Sequence, residues 1–220
     1  IAQHLSEMAK RHPFQEAVIF PSRRDKFGRS LYSHLTYAQL DEASETAAHG
    51  LLAMGIGPGV RTAFLVKPSL EFFVLTFALF KAKAIPVLID PGIGLKSMKR
   101  CLYEADAEAF IGIPAAHAAR ILFRWRGRFP ASRWPHRLSI SKRSFFTTPS
   151  YEDLMRAGRE AAGRELPDTS LNELAAVLFT SGSTGAPKGV LYTHQNFLAQ
   201  VELLRDALKI EVGERDLCTF

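Results

Sequence analysis

The 220 residues hold 47% apolar and 23% charged side chains, enough for a core of one large domain or one and a half ordinary ones, and this excludes a disordered chain. The formal charge of +6 is local: residues 118–149 carry eight Arg or Lys and no acid, leaving 20 basic against 22 acidic residues elsewhere. That excludes a general affinity of the whole chain for polyanions. Two cysteines, Cys101 and Cys218, lack partners at metal-ligand spacing and suit a reducing compartment better than a disulfide framework.

Residues 2–11, "AQHLSEMAKR", space Leu5, Met8 and Ala9 as a helix, stopped by His12-Pro13. "AVIF" (17–20) and "LYSHL" (31–35) read as strands joined by the charged turn "PSRRDKFGRS". Thr36 and Gln39 have capping-box spacing, Leu35 can staple to Leu40, and Gly55 suits the C-terminal end of that helix. "VRTAFLV" (60–66) is a strand, and an apolar helix follows from about Ser69 to Lys83. Its run Phe72–Phe80 is about half the ~20 residues of a membrane span, so burial on all sides is expected.

"IPVLID" (85–90) is a strand that Pro86 directs to an edge or a strand start. Lys96–Ala105 is helical in pattern and "AEAFIGI" (107–113) is another strand. Residues 114–150 break this rhythm with a basic, aromatic, proline-punctuated connection, and a polar boundary follows near 166. "LAAVLFT" (174–180), "GVLYT" (189–193), a helix over Asn196–Lys209 and a strand opening at Leu217 resume it. Alternating strands and helices with short connections predict an α/β fold, a mostly parallel sheet flanked by helices. The expected division is a first subdomain over 1–165 and the start of a second over 166–220. Both chain ends have the look of cuts in something longer, and no signal peptide is visible.

"TSGSTGAPKG" (180–189) follows an apolar strand of the kind buried on both faces. Ligands of open α/β sheets sit beyond the carboxyl ends of such strands. Gly182 and Gly185 allow successive N–H groups to face one point, Ser181, Ser183 and Thr184 add hydroxyl donors, and Lys188 adds a cation. Many neutral donors with one positive charge suit a polyphosphate. A Walker A loop requires Gly-Lys-Ser/Thr opening a helix, whereas Lys188 lies between Pro187 and Gly189 before a strand. A flexible Ser/Gly linker is the competing reading.

The stretch "FTSGSTGAPKGV" followed by "THQNF" resembles the phosphate loop of the adenylate-forming superfamily, which comprises acyl-CoA synthetases, nonribosomal adenylation domains and beetle luciferases. "LTYAQLDEASETAAHGLLAMGIGPGVRTAFLVKPSLEFFV" and "FALFKAKAIPVLIDPGIGLKSMKRCLYEADAEAFIG" are similar to two further blocks of that family, which usually has Ala-Gly in place of Ala82-Lys83. "MKRCLYEADAEAFIGIPAAHAARILF" is most similar to fatty-acid-directed members, such as the β-lactone synthetases of bacterial olefin biosynthesis and fatty acyl-CoA or AMP ligases.

The resemblance implies that a carboxylate attacks the α-phosphorus of ATP and that the acyl-adenylate then passes to CoA or closes onto its own β-hydroxyl. It implies that Thr180, Ser181, Gly182, Ser183, Thr184, Gly185 and Lys188 cradle the phosphates with Mg²⁺ bridging their oxygens. His194 would stand behind that loop, or serve only as a cap or packing residue. Adenine, metal and catalytic residues would lie downstream, so these 220 residues alone would be inactive. A fatty or β-hydroxy fatty acid substrate and a cytoplasmic or membrane-peripheral setting are implied as well. The rival from another class is a phosphate- or partner-binding module that keeps only the loop.

Within 118–149, Arg120, Arg124, Arg126, Arg128 and Arg133 are interleaved with Phe123, Trp125, Phe129 and Trp134. Three uses fit: a surface connection with its aromatics tucked in, a peripheral membrane contact, or nucleic-acid binding, the last being the least expected.

Overall fold

The structure is a computed structural model that describes residues 1–128, 136–141, 148–180, 187–211 and 213–216. Helix α1 (Ala2–Arg11) leads into a separate two-stranded antiparallel ribbon, β1 (Glu16–Arg24) and β2 (Ser30–Thr36). These strands run further into "PSRRDKFGRS" than the sequence pattern suggests. The tight turn explains it: the Asp25 carboxylate accepts the N–H groups of Phe27 and Arg29 at 2.8 and 2.9 Å, and Gly28 takes φ +79°.

The chain then alternates through α2 (Tyr37–Ala53), β3 (Arg61–Leu65), α3 (Leu70–Lys81), β4 (Ile85–Ile89), a 3₁₀ turn at Pro91–Ile93 and α4 (Leu95–Glu104). It continues through β5 (Ala109–Gly112), α5 (Pro114–Leu122), β6 (His136–Ser139), α6 (Tyr151–Glu160), β7 (Leu174–Thr180), β8 (Lys188–Thr193) and α7 (His194–Leu208). The Thr36–Gln39 capping box starts α2 as expected, and boxes at Ser150–Asp153 and Thr193–Asn196 start α6 and α7.

The main sheet has six strands in the order β6-β5-β3-β4-β7-β8, parallel except for β8, which pairs antiparallel with β7. The fold is therefore α/β with a mostly parallel sheet flanked by helices. Stretch 114–150 is more than a connection, because it contributes α5 and the strand β6. Strand β7 pairs with β4, so the sheet runs on across residue 166. Strand β4 lies inside the sheet, so Pro86 marks a strand start and not an edge. The Ile85 N–H donates to the Val60 carbonyl at 2.9 Å, and alternation turns the N–H that Pro86 lacks toward β7, whose pairing begins only at Val87.

Period-two alternation builds a core on each face. Phe64, Ala109 and Ile111 pack with α2, α3 and α6 through Leu51, Leu75, Leu79 and Leu154. Ala63, Val87, Phe110 and Val177 pack with α4 and α5 through Met98, Leu102 and Ala116. Helix α3 is buried or half-buried along its whole length. No helix among the described residues is long and apolar enough to cross a membrane. At the position where the resembling family usually has Gly, Lys83 sits at φ +58°. That left-handed backbone is the physical reason glycine suits the site, and here an ion pair from Lys83 to Glu173 at 2.7 Å offsets part of its cost.

Candidate functional site

Strands β3 and β4 are neighbours, yet they send their following helices to opposite faces: α3 joins one core and α4 the other. Their carboxyl ends therefore flank the crevice where open α/β sheets take ligands. Strand β7 pairs with β4 through Ile89 and Phe179, so Thr180 emerges one strand from that switch point. Thr180 and Lys188 are cross-strand partners at the mouth of the β7–β8 hairpin, and both are exposed. Directly opposed residues share a face, so one hydroxyl and one ammonium project together beside the crevice. Ser181, Gly182, Ser183, Thr184 and Gly185 lie outside the described residues.

His194 is not brought to this group. It follows Thr193, whose partner is Leu174 at the amino end of β7, about 20 Å from Thr180 at ~3.3 Å per residue. Its backbone N–H donates to the Glu173 carbonyl at 3.1 Å, and its ring packs edge-on against Phe80 at 5.9 Å. The side chain is 3% exposed, and burial holds its imidazolium below the usual range.

The carboxyl edge also gathers residues that no motif singled out. Asp90 directly follows β4, its carboxylate accepting the Gly92 N–H at 2.8 Å. Beyond β3, β5 and β6 lies a cavity of about 540 Å³ with Val66, Ile113 and Ile140 as its apolar lining and Lys67, Ser69 and Tyr151 as polar groups. Burial, aided by the charge of Glu71, pushes the Tyr151 hydroxyl up to about 12, so it stays a proton donor at neutral pH. The volume suits a small-molecule site. Position at the carboxyl end of a predicted strand was the signal available in sequence for Val66, Asp90 and Ile113, whereas nothing in the sequence pointed to Ile140 or Tyr151.

Three arginines of 118–149 have partners among the described residues. Arg120 is buried against the Phe110 ring at 5.4 Å, and burial lowers its guanidinium to about 10. Trp125 is buried in the second core. Arg126 lies 4.7 Å from the Tyr103 ring centroid, and Arg128 pairs with Asp106 and Glu108 at 2.7 and 2.9 Å.

An open α/β sheet with a hydroxyl- and lysine-bearing hairpin at its carboxyl edge is an arrangement compatible with a nucleotide or phosphate ligand. The AMP-binding enzyme family matches residues 5–219, and the chain belongs to that family. It is 46% identical over its whole length to olefin β-lactone synthetases of Stenotrophomonas maltophilia and Xanthomonas campestris, and it spans 39% of each. The N-terminal domain of FACL13 from Mycobacterium tuberculosis superposes with a TM-score of 0.66 at 23% identity, over 88% of this chain and 44% of that one; this likeness bears on fold alone.

Proposed function

We propose that the full-length protein activates a fatty or β-hydroxy fatty acid with ATP. The substrate carboxylate oxygen bonds to the α-phosphorus, the bond from that phosphorus to the α,β-bridging oxygen breaks, and acyl-adenylate and pyrophosphate result. The β-hydroxyl oxygen then attacks the acyl carbonyl, releasing AMP and a proton and leaving a β-lactone. Transfer to the thiol of CoA is the second route for the same intermediate. The observation that carries this reading is the 46% identity across the whole chain to two olefin β-lactone synthetases.

The residues present fit a polyphosphate. Lys188 and the Thr180 hydroxyl share one exposed face at the carboxyl edge. Negative charge grows on the departing pyrophosphate, so a fixed cation and a hydroxyl donor there favour the transition state over bound ATP. Ser181–Gly185 would complete the cradle. Mg²⁺ would neutralise charge on the phosphate oxygens when bound, its protein ligands being expected downstream of these residues. Alone, these 220 residues would hold phosphates without adenylating.

Of the uses considered for 118–149, the pairings of Arg126 and Arg128 and the burial of Trp125 support a surface connection. A membrane contact there would rest on Ile121, Leu122 and Phe123, which remain exposed. Carboxylate-dependent exchange of labelled pyrophosphate into ATP tests the first step. Absence of exchange with every fatty and β-hydroxy fatty acid tried overturns the substrate assignment. AMP release with a β-hydroxy acid but without CoA is expected for lactone closure, and strict dependence on CoA overturns it.

A further inference from the structure

The β1–β2 ribbon stands outside the main sheet, and only its base is packed, through Ala17, Val18 and Leu35. From Pro21 to Tyr32 every residue except Asp25 is exposed. Between residues 17 and 40 the sole acid is Asp25, against Arg23, Arg24, Lys26 and Arg29. Asp25 is itself committed, holding the turn and pairing with Arg29 at 3.0 Å. At the tip Phe27 is 70% exposed, with Lys26 Nζ at 5.0 Å and Arg29 Cζ at 5.3 Å from its ring centroid. Leu31 and Tyr32 add exposed apolar surface beside it. Among the described residues nothing outside the ribbon packs on this tip, and the proposed chemistry does not use it.

We infer that the β1–β2 tip docks the protein on an anionic lipid surface, with Phe27 entering the interfacial layer and Arg23, Arg24 and Lys26 meeting lipid phosphates. The charge is complementary to such a surface and local to the protruding end. An exposed aromatic among cations is placed where a bilayer offers apolar and anionic layers side by side. Nucleic acid is a poorer match, because base stacking on Phe27 would displace the cations already over its ring. The basic stretch 118–149 is poorer too, since Arg120, Arg126, Arg128 and Trp125 already have partners within the domain. The inference rests on charge and exposure, independent of which acid the enzyme activates.

The test is sedimentation of the full-length protein with vesicles of phosphatidylcholine alone and of phosphatidylcholine with phosphatidylglycerol. Pelleting is expected only with the anionic vesicles, with release at high salt as the Debye length shrinks. Arg23→Gln with Arg24→Gln should lower partitioning about 30-fold, at about fivefold per cation, and Phe27→Ser at least about fivefold. Lys26→Gln, about fivefold, is a second variant should another lose its wild-type unfolding transition. Leu122→Ser with Phe123→Ser should leave partitioning unchanged. No pelleting, equal pelleting with both vesicles, or loss confined to the Leu122/Phe123 variant overturns the inference. So does binding to duplex DNA as strong as to anionic vesicles, which would mark charge alone. None of these readings involves ATP, so this idea and the proposed activity fail separately.

Discussion

Replacing Gly158 by Ala tests how closely α2 and α6 pack. A Cβ at Gly158 would lie 1.9 Å from the Thr46 carbonyl oxygen, and one at Gly50 would lie 2.3 Å from the Leu154 carbonyl oxygen. The two helices therefore meet backbone to backbone through glycines on both sides. A Cβ essentially never stands within 3.0 Å of such an atom, so α6 must retreat by about 1.1 Å, because neither obstacle is a side chain that can rotate away. A gap of that order forfeits about a quarter to a half of each dispersion contact across the interface, which includes the fully buried Leu154 and Ala47. Ala has the better helix propensity by about 1 kcal/mol, whereas overpacking costs about 1–3 kcal/mol and more when backbone must move. Sterics win, and with overpacking at the upper end of that range the expected net loss is about 2 kcal/mol. That corresponds to a fall in Tm of roughly 4–8 °C for a domain of this size. Urea and thermal unfolding read by circular dichroism measure it. Gly163→Ala is the control: at φ +84° with open space around it, it should cost only about 1 kcal/mol. A Gly158→Ala protein as stable as wild type would refute the close approach and the helix pairing drawn from it.

Three further outcomes are expected. In the full-length protein, Lys188→Gln should lower kcat/KM for ATP about 100-fold, while His194→Gln should stay within about threefold because its ring is at the far end of β7; the reverse order would place the site elsewhere. Burial lowers the His117 imidazolium to about 4, with its Nε2 bonded to the Leu138 carbonyl at 2.9 Å. The unfolded chain therefore binds the proton first, and the stability of the neutral buried ring, full above pH ~6.5, is lost as pH falls toward 4. Relative to His117→Asn, wild type should lose about 2 kcal/mol more between pH 7 and pH 5 in urea titrations, and parallel losses would show an accessible ring. Cys101 is fully buried, and burial pushes its thiol up to about 11, so in a Cys218→Ser background a thiol reagent at pH 8 should react with it only after denaturant is added. Fast labelling of the native protein would contradict its burial.

Signals of local origin were legible in the sequence. The Thr36–Gln39 capping box, the Ser69 start of α3 and the apolar strand ahead of Thr180 are each set by a few neighbouring residues, and each stands where the pattern predicts. Strand β6 was missed because four residues, "HRLS", carry too little pattern in a basic stretch; it becomes a strand by pairing with β5. Pro86 left an edge and a strand start open, and only the pairing chose between them, since the cost of a proline depends on what lies across from the N–H it lacks.

The sequence by itself determined the alternation that makes an α/β sheet, the family, and the residue types that suit a polyphosphate. Only the tertiary structure decided which residues meet. Register set Lys188 opposite Thr180 and carried His194 to the far end of β7. Strand order brought β7 beside β4 at the switch point, and the carboxyl ends of three strands formed the cavity beside Tyr151. The reason is physical. Propensity, capping and motif chemistry act over a few residues of chain, whereas strand order and register are fixed by burying two apolar faces at once, and that condition exists only when the whole sheet is assembled.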